Sequence, residues 1–297
     1  MKSAAAESTA RSESLFSDVC VLVKARLSFL VLTTTFVGFL LGTRGAAIDW
    51  FVMAATLAGT ALSACGASAL NQWWERDYDG RMKRTQNRPL PAGRMHPSDA
   101  VLFGIFFSVM GVAILGLFVN YLTAVLAGLT VLIYVLVYTP MKRSSELNTL
   151  VGAVPGALPP LLGWTAATGE ASLGGWVLFA ILWFWQMPHF LAIAWMYREE
   201  YEGAGFRILT GRDPDGIATA RQGLLYSMCL LVATLIPGVI GLNSVIYFAG
   251  AFVFGIAFLA LAGNFAVQRD RQSARWLFFG SIIYLPLLLG LLVATRL

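Results

Sequence analysis

Residues 98–118 read SDAVLFGIFFSVMGVAILGLF, and residues 121–139 read YLTAVLAGLTVLIYVLVYT, with only Val119 and Asn120 between them. No charged residue occurs from Ala100 to Thr139. Each run is about 20 residues, the length a helix needs to cross a hydrocarbon core about 30 Å thick at about 1.5 Å per residue. The pair reads as two membrane-spanning helices joined by a tight reversal.

Working outward, seven further stretches qualify, near residues 27–43, 50–70, 148–168, 173–196, 222–241, 244–267 and 276–294. The composition agrees. Of 297 residues, 58% are hydrophobic and 12% charged, and the mean hydropathy is +0.71. Soluble domains carry roughly 25% charged and 45–50% apolar residues. This excludes a disordered chain, a coiled coil and an ordinary water-soluble enzyme. The expected fold is an all-α polytopic membrane protein, nine transmembrane helices around a central cavity. Nine helices of about 20 residues occupy roughly 60% of the chain, so residues 21–297 read as a single intramembrane domain. Residues 1–20 read as a flexible cytoplasmic tail. They lack the apolar core and cleavage site of a signal peptide and are too short and acidic for a mitochondrial presequence. Cys20, Cys65 and Cys229 form neither a CxxC pair nor an even-numbered framework, so no disulfide or zinc site is expected.

The net charge of +5 does not call for nucleic acid. Of the 21 basic residues, only Arg44 and Arg296 fall outside the N-terminus and the even-numbered connections. The positive-inside rule then sets the N-terminus in the cytoplasm and the C-terminus outside.

Two of these inner connections are unlike the rest. The first begins NQWWERDYDGRMKRTQNRPLPAGR at Asn71. Asn71, Glu75 and Asp79 sit four residues apart, so they drift only about 80° around a helix and rise about 6 Å per step. Three oxygen ligands on one face suit Mg²⁺, which combines one or two carboxylates with water and substrate phosphate. Arg81, Lys83, Arg84 and Arg88 follow at once, and guanidiniums pair with phosphate oxygens. Acids followed by guanidiniums suit a metal–diphosphate complex. A solvated helix end with i,i+4 ion pairs has the same spacing, but Asn71 continues an apolar run, where polar groups are costly and mark function.

The second connection, after the sixth span, reads YREEYEGAGFRILTGRDPDG from Tyr197. Its Glu200-Tyr201-Glu202-Gly203 echoes Asp77-Tyr78-Asp79-Gly80, as two related halves would, and makes Glu199, Glu200 and Glu202 candidates for a second metal position. A solvated acidic loop is the plainer alternative. Lys142 and Arg143, after the fourth span, serve as topology determinants or as diphosphate contacts. The fifth span holds Pro155, Pro159 and Pro160 and reads as a kinked cavity wall. The sixth carries Gln186 and His189 inside its apolar run. His189 is either a hydrogen-bonded structural residue or a ligand to haem iron.

These motifs carry a resemblance. The run from Asn71 to Arg94 resembles the signature of the protohaem IX farnesyltransferases, also called haem O synthases, a branch of the UbiA-type intramembrane prenyltransferases. YTPMKR from Tyr138, NTLVGAVPGALPPLLGW from Asn148 and FWQMPHFLAIAW from Phe184 resemble its further signatures in the same order, over about residues 20–295. The resemblance implies transfer of the farnesyl group of farnesyl diphosphate to haem B, with water, to give haem O and diphosphate. It implies Mg²⁺ held by Asn71, Glu75, Asp79 and Glu200, diphosphate held by Arg81, Arg84, Arg88, Lys142 and Arg143, and haem met by His189. The wider superfamily has a second Asp-x-x-x-Asp motif, but here Met196 stands four residues before Glu200. Glu200 is the remaining acid, with Glu199 its rival. The resemblance also implies a multi-pass protein of the bacterial inner membrane or, alternatively, the mitochondrial one, working beside haem A synthase or a terminal oxidase assembly. A prenyltransferase acting on a quinone precursor and a secondary transporter are the alternatives. Transporters place their sites near the bilayer midplane, whereas these acids lie at helix ends.

Overall fold

A computed structural model describes residues 15–297. Among the described residues, nine helices are long and apolar enough to cross a membrane: α1 Ala25–Gly42, α2 Trp50–Asp79, α3 Pro97–Phe118, α4 Tyr121–Ser144, α5 Asn148–Thr168, α6 Leu173–Met196, α7 Ile217–Val239, α8 Val245–Gln268 and α9 Arg271–Ala294. Several starts carry a side-chain cap. Asp49 accepts from Val52 N–H at 3.0 Å, Asn120 from Thr123 N–H at 2.8 Å, and Asp270 from Ser273 N–H at 2.7 Å, each satisfying an orphan donor of the first turn.

The helices pack as two groups of four. In one, α2 packs on α3, α3 on α4, α4 on α5, and α5 returns to α2; in the other, α6 through α9 repeat the circuit. Helix α1 lies against α5 and α2, and α5 against α6. In hydrocarbon there is no hydrophobic force between helices, so close packing has to hold them together. Small residues supply it. A Cβ on Gly66 would strike the Gly104 carbonyl, one on Gly111 the Gly59 carbonyl, and one on Gly163 the Thr35 carbonyl. These helices cross backbone to backbone. Outward faces present Leu102, Phe106, Val109, Val232, Val253 and Ile283, all exposed, as lipid contact requires.

Four elements differ from the sequence expectation. Helix α2 runs nine residues past 70 and has 30 residues, about 45 Å, so its last turns stand beyond the hydrocarbon core. Helix α4 continues through Thr139-Pro140 to Ser144 rather than ending there. A wide π turn at Ile133–Tyr138 absorbs the proline, which has no N–H to offer the preceding turn. Helix α5 is uninterrupted despite its three prolines. Residues 15–20, part of the expected tail, are helical, because Arg94 grips Asp18 with contacts of 2.8–3.0 Å. The rest of that tail, residues 1–14, lies outside the described residues.

Candidate active site

The last third of α2 is polar yet buried. Asn71, Glu75 and Asp79 are 0%, 4% and 3% exposed, on one face of the helix. Each is held by a cation from a different element. Lys24, just before α1, places Nζ 2.6 Å from Asn71 Oδ1. Lys142, at the end of α4, places Nζ 2.7 Å from Glu75 Oε1. Arg88, from the α2–α3 connection, places Nη1 2.6 Å from Asp79 Oδ2. Three rungs meet three cations.

Helix α4 supplies the opposing face. Tyr134, Tyr138 and Lys142 repeat the four-residue spacing of the α2 ladder. The Tyr134 hydroxyl lies 3.0 Å from Lys24 Nζ, and Lys142 Nζ lies 4.7 Å from the Tyr138 ring centre. Thr139 donates its hydroxyl to the Tyr134 carbonyl at 2.7 Å and accepts from Asn71 Nδ2 at 2.9 Å. The π turn thus aims three side chains at one helix face, as such turns often do at functional sites. Sequence reasoning missed Tyr134, Tyr138 and Thr139. Their spacing was a usable signal, but aromatics near a helix end read first as membrane-interface residues. Lys24 carried no local signal. Burial pulls its ammonium down to about 7, with Glu75 the largest opposing influence, so an anion brought beside it raises its charge.

The other predicted cations do not reach the ladder. Arg143 donates to the Trp74 carbonyl at 3.1 Å and lies 3.5 Å from the Tyr78 ring centre. Arg81 lies over the same ring at 5.2 Å, and Arg84 points to the Tyr201 hydroxyl at 3.4 Å; both arginines, and Lys83, are exposed.

The second acidic segment, the short helix Arg198–Gly203, meets the first. Phe206 packs against Tyr78 at 6.1 Å and Tyr201 at 5.9 Å between ring centres, so the tyrosines of the two echoed tetrapeptides share one partner. The glutamates separate here. Glu199 and Glu202 are exposed, whereas Glu200 Oε2 is buried and has no hydrogen-bond partner. Beyond this segment, Asp213 accepts from Thr219 N–H at 2.7 Å. Burial raises its pKa, but backbone donors at the start of α7 outweigh that and hold it below the ordinary 3.8.

His189 lies elsewhere, between α6 and α9. Its ring stacks on Trp185 and Phe278, with centres 5.0 and 5.1 Å apart. Its Nδ1 is 2.6 Å from Ser281 Oγ, and that hydroxyl donates to the Phe278 carbonyl at 2.6 Å. A hydroxyl has one hydrogen. With it spent on Phe278, Ser281 accepts from His189 Nδ1–H, leaving the Nε2 lone pair free. Gln186 is a packing residue, donating to the Leu182 and Ala153 carbonyls at 3.1 and 3.4 Å.

The donor set fits a hard divalent cation. It offers an amide oxygen and carboxylates, and Lys142 and Arg88 each occupy one carboxylate oxygen. Glu200, on the separate segment Arg198–Gly203, has a buried oxygen without a partner. Among the described residues no three Asp, Glu, His or Cys side chains gather into a cage of their own. Mg²⁺ takes one or two carboxylates and completes its shell with water and substrate phosphate.

Comparison with known proteins gives this arrangement a family. The solved chain of a digeranylgeranylglyceryl phosphate synthase superposes with a TM-score of 0.81 at 14% identity, covering 94% of this chain and 98% of that one. A UbiA homologue from Archaeoglobus fulgidus, solved with GPP and Mg²⁺ bound, gives a TM-score of 0.65 at 13% identity, covering 93% and 99%. At such identities these likenesses establish the fold. Sequence relatives go further. The protohaem IX farnesyltransferase of Myxococcus xanthus is 44% identical over 293 residues, 97% of this chain and 98% of that protein. That of Solibacter usitatus is 42% identical over 287 residues, 94% and 98%. The human mitochondrial one is 40% identical, matching 93% of this chain and 61% of its own length. The sequence model of the UbiA prenyltransferase family matches residues 31–283, and with these relatives beside it the chain belongs to that family, within its protohaem IX farnesyltransferase branch.

Proposed function

We propose that the protein transfers the farnesyl group of farnesyl diphosphate to a vinyl group of haem B. The C1–O bond of the diphosphate breaks and its electron pair leaves with diphosphate. A vinyl carbon bonds to C1, and water adds to the carbon left electron-deficient and loses a proton, giving haem O. The observation that carries this reading is the buried ladder of Asn71, Glu75 and Asp79, each rung paired with its own cation, in a chain more than 40% identical to protohaem IX farnesyltransferases over nearly its full length.

Asn71, Glu75, Asp79 and Glu200 would hold Mg²⁺. Bound there, it supplies a Lewis acid that offsets charge on the leaving diphosphate. Lys142 and Arg88 hold the rungs in the free protein and turn to phosphate oxygens when the diphosphate arrives. Such preorganised cations stabilise charge as it develops, with little rearrangement. Arg84 and Arg81 act at the exposed mouth, and Arg143 braces α4 against α2. The farnesyl tail lies among the apolar helices, where water is excluded and premature hydrolysis is suppressed. His189, fixed as its Nδ1–H form by Ser281, offers Nε2 to the haem iron. Metal-ligating histidines are oriented in this way by their second nitrogen. The basic connections support an N-terminus in the cytoplasm and a site opening there, in a bacterial inner membrane. Delivery of haem O to a haem A synthase or terminal oxidase assembly belongs to the same proposal.

The test is to incubate membranes containing the protein with haem B, Mg²⁺ and farnesyl diphosphate and to weigh the extracted haem by mass spectrometry. A haem heavier by one farnesyl group and one hydroxyl is expected. Unmodified haem under conditions where the folded protein binds both substrates would overturn the reading.

A further inference from the structure

The three cations of the ladder are not equivalent. Lys142 and Arg88 are each neutralised by a carboxylate, at 2.7 and 2.6 Å. Lys24 is not. Its ammonium touches an amide oxygen, Asn71 Oδ1 at 2.6 Å, and a phenol, Tyr134 Oη at 3.0 Å. The five ion pairs among the described residues do not include it. A buried cation is costly unless a counter-charge or a full set of acceptors meets it, and here two neutral groups do so.

The chain is nevertheless built to put it there. Lys24 has φ 49° and ψ 52°, a left-handed conformation that non-glycine residues seldom adopt. Its neighbours are pinned on both sides. Gln72, itself 1% exposed, donates to the Val21 and Leu22 carbonyls at 2.6 and 2.9 Å. Ser28 donates to the Val23 carbonyl at 2.8 Å. Gln72 follows Asn71 directly, so the residue pair that ends the apolar part of α2 both fixes the Lys24 backbone and receives its side chain. Strained backbone held by its surroundings is characteristic of functional positions.

A cation held without a counter-charge, one rung from Glu75 and two from Asp79, leaves room in the local charge balance for an anion. We propose that Lys24 is a further substrate-binding residue. It rests on Asn71 and Tyr134 in the free protein and turns to an oxygen of the leaving diphosphate when substrate binds, freeing Asn71. This inference rests on the reading that the ladder receives a prenyl diphosphate. It gives Lys24 a consequence that a structural lysine lacks. In the free protein the ammonium competes with a divalent cation for Asn71 Oδ1, so removing it weakens binding of the anion but not of the metal.

The experiment titrates the full chain, purified in detergent, with inorganic pyrophosphate and separately with Mn²⁺, by calorimetry. Lys24→Met is expected to weaken pyrophosphate binding about tenfold, the effect of losing one charge-assisted contact, while Mn²⁺ alone binds as tightly as before or more tightly. Lys24→Arg should keep pyrophosphate affinity within about threefold of the parent chain, since the charge remains. If Lys24→Met does not fold, Lys24→Gln keeps polar contact with Asn71 and Tyr134 without the charge and carries the same expectation. Arg88→Met serves as the reference for the site itself. Unchanged pyrophosphate binding in the Lys24 variants, beside a loss in Arg88→Met, overturns the assignment of Lys24 and leaves the site standing. Unchanged binding in all of them overturns the ladder as the diphosphate site and the assignment with it. Equal weakening of pyrophosphate and Mn²⁺ with a lower melting temperature, unrescued by Lys24→Arg, makes Lys24 structural and overturns the proposal.

Discussion

Asp79 is the rung whose removal separates catalysis from stability most clearly. Its carboxylate is 3% exposed and lies 2.6 Å from Arg88, whose side chain is 20% exposed. Breaking a fully buried pair by removing one partner costs about 3–5 kcal/mol. The partial exposure of Arg88 lets water reach the orphaned guanidinium, so about 1–3 kcal/mol is expected for Asp79→Ala or Asp79→Asn. The backbone lock from Thr85, which donates to the Asp79 carbonyl at 2.8 Å, survives both changes, and the helix end keeps its shape. The effect on turnover should be larger. Loss of one preorganised charge-stabilising group costs about 10²–10³ in kcat, about 2.7–4 kcal/mol. On the proposed function Asp79 would moreover serve twice, toward the metal and through Arg88. The assay compares haem O formation at saturating substrates with thermal unfolding in the same detergent. Both variants should remain folded at the assay temperature and lose at least about a hundredfold in turnover. A folded Asp79→Ala variant within about threefold of the parent rate, a difference of about 0.7 kcal/mol, would remove Asp79 from the reaction.

Three other outcomes follow from the same geometry. Arg88→Lys should raise the KM for farnesyl diphosphate about tenfold and leave that for haem unchanged, because an ammonium cannot reproduce the guanidinium fork; Arg84→Lys, at an exposed position, should change it by less than about threefold. Equal effects on both substrates would mark Arg88 as a loop anchor. His189→Ala should shift the Soret band of bound haem without altering pyrophosphate affinity, and Ser281→Ala should shift it less, since the ring keeps its stacking partners; an unchanged spectrum with a lower melting temperature would make His189 structural. Asp213→Ala should lower stability by about 1 kcal/mol, the cost of losing the side-chain acceptor for the Thr219 N–H in the first turn of α7. Because the pKa of Asp213 is held below the ordinary 3.8, that stabilisation is fully present above this value and disappears as pH falls through the lower folded one. Melting temperatures of parent and variant should therefore converge only in strong acid, and a difference that persists there would refute this role for the carboxylate.

The spans were legible because hydrocarbon imposes one rule, about 20 apolar residues per crossing. Where the rule lapses, so did the reading. The nine extra residues of α2 and the last turn of α4 leave the apolar core, and there helix continuation depends on tertiary partners. Lys142 and Arg143 at the end of α4 find Glu75 and the Trp74 carbonyl. The Asn71-Glu75-Asp79 ladder was readable because its partners share one helix. The choice among five cations was not, since Arg88 reaches Asp79 and Arg84 does not only through the folded path of the α2–α3 connection. Lys24 lies 47 residues from Asn71 in sequence, and no local pattern joins them.

The echoed tetrapeptides show what two packed halves achieve together. Tyr78 and Tyr201 both pack on Phe206, so the two acidic helix ends meet at one aromatic contact. Their electrostatics differ. In the first half every rung already has a cation. In the second, Glu200 Oε2 is buried with none. A buried carboxylate oxygen without a donor is disfavoured, so on the proposed function a divalent cation would gain most at Glu200, where it would displace nothing. At Glu75 and Asp79 it would have to share oxygens with Lys142 and Arg88, and a diphosphate would favour that sharing by giving both cations new partners. On the proposed function the asymmetry between the halves would couple metal and diphosphate, each improving the site for the other by the same factor, since such coupling is reciprocal.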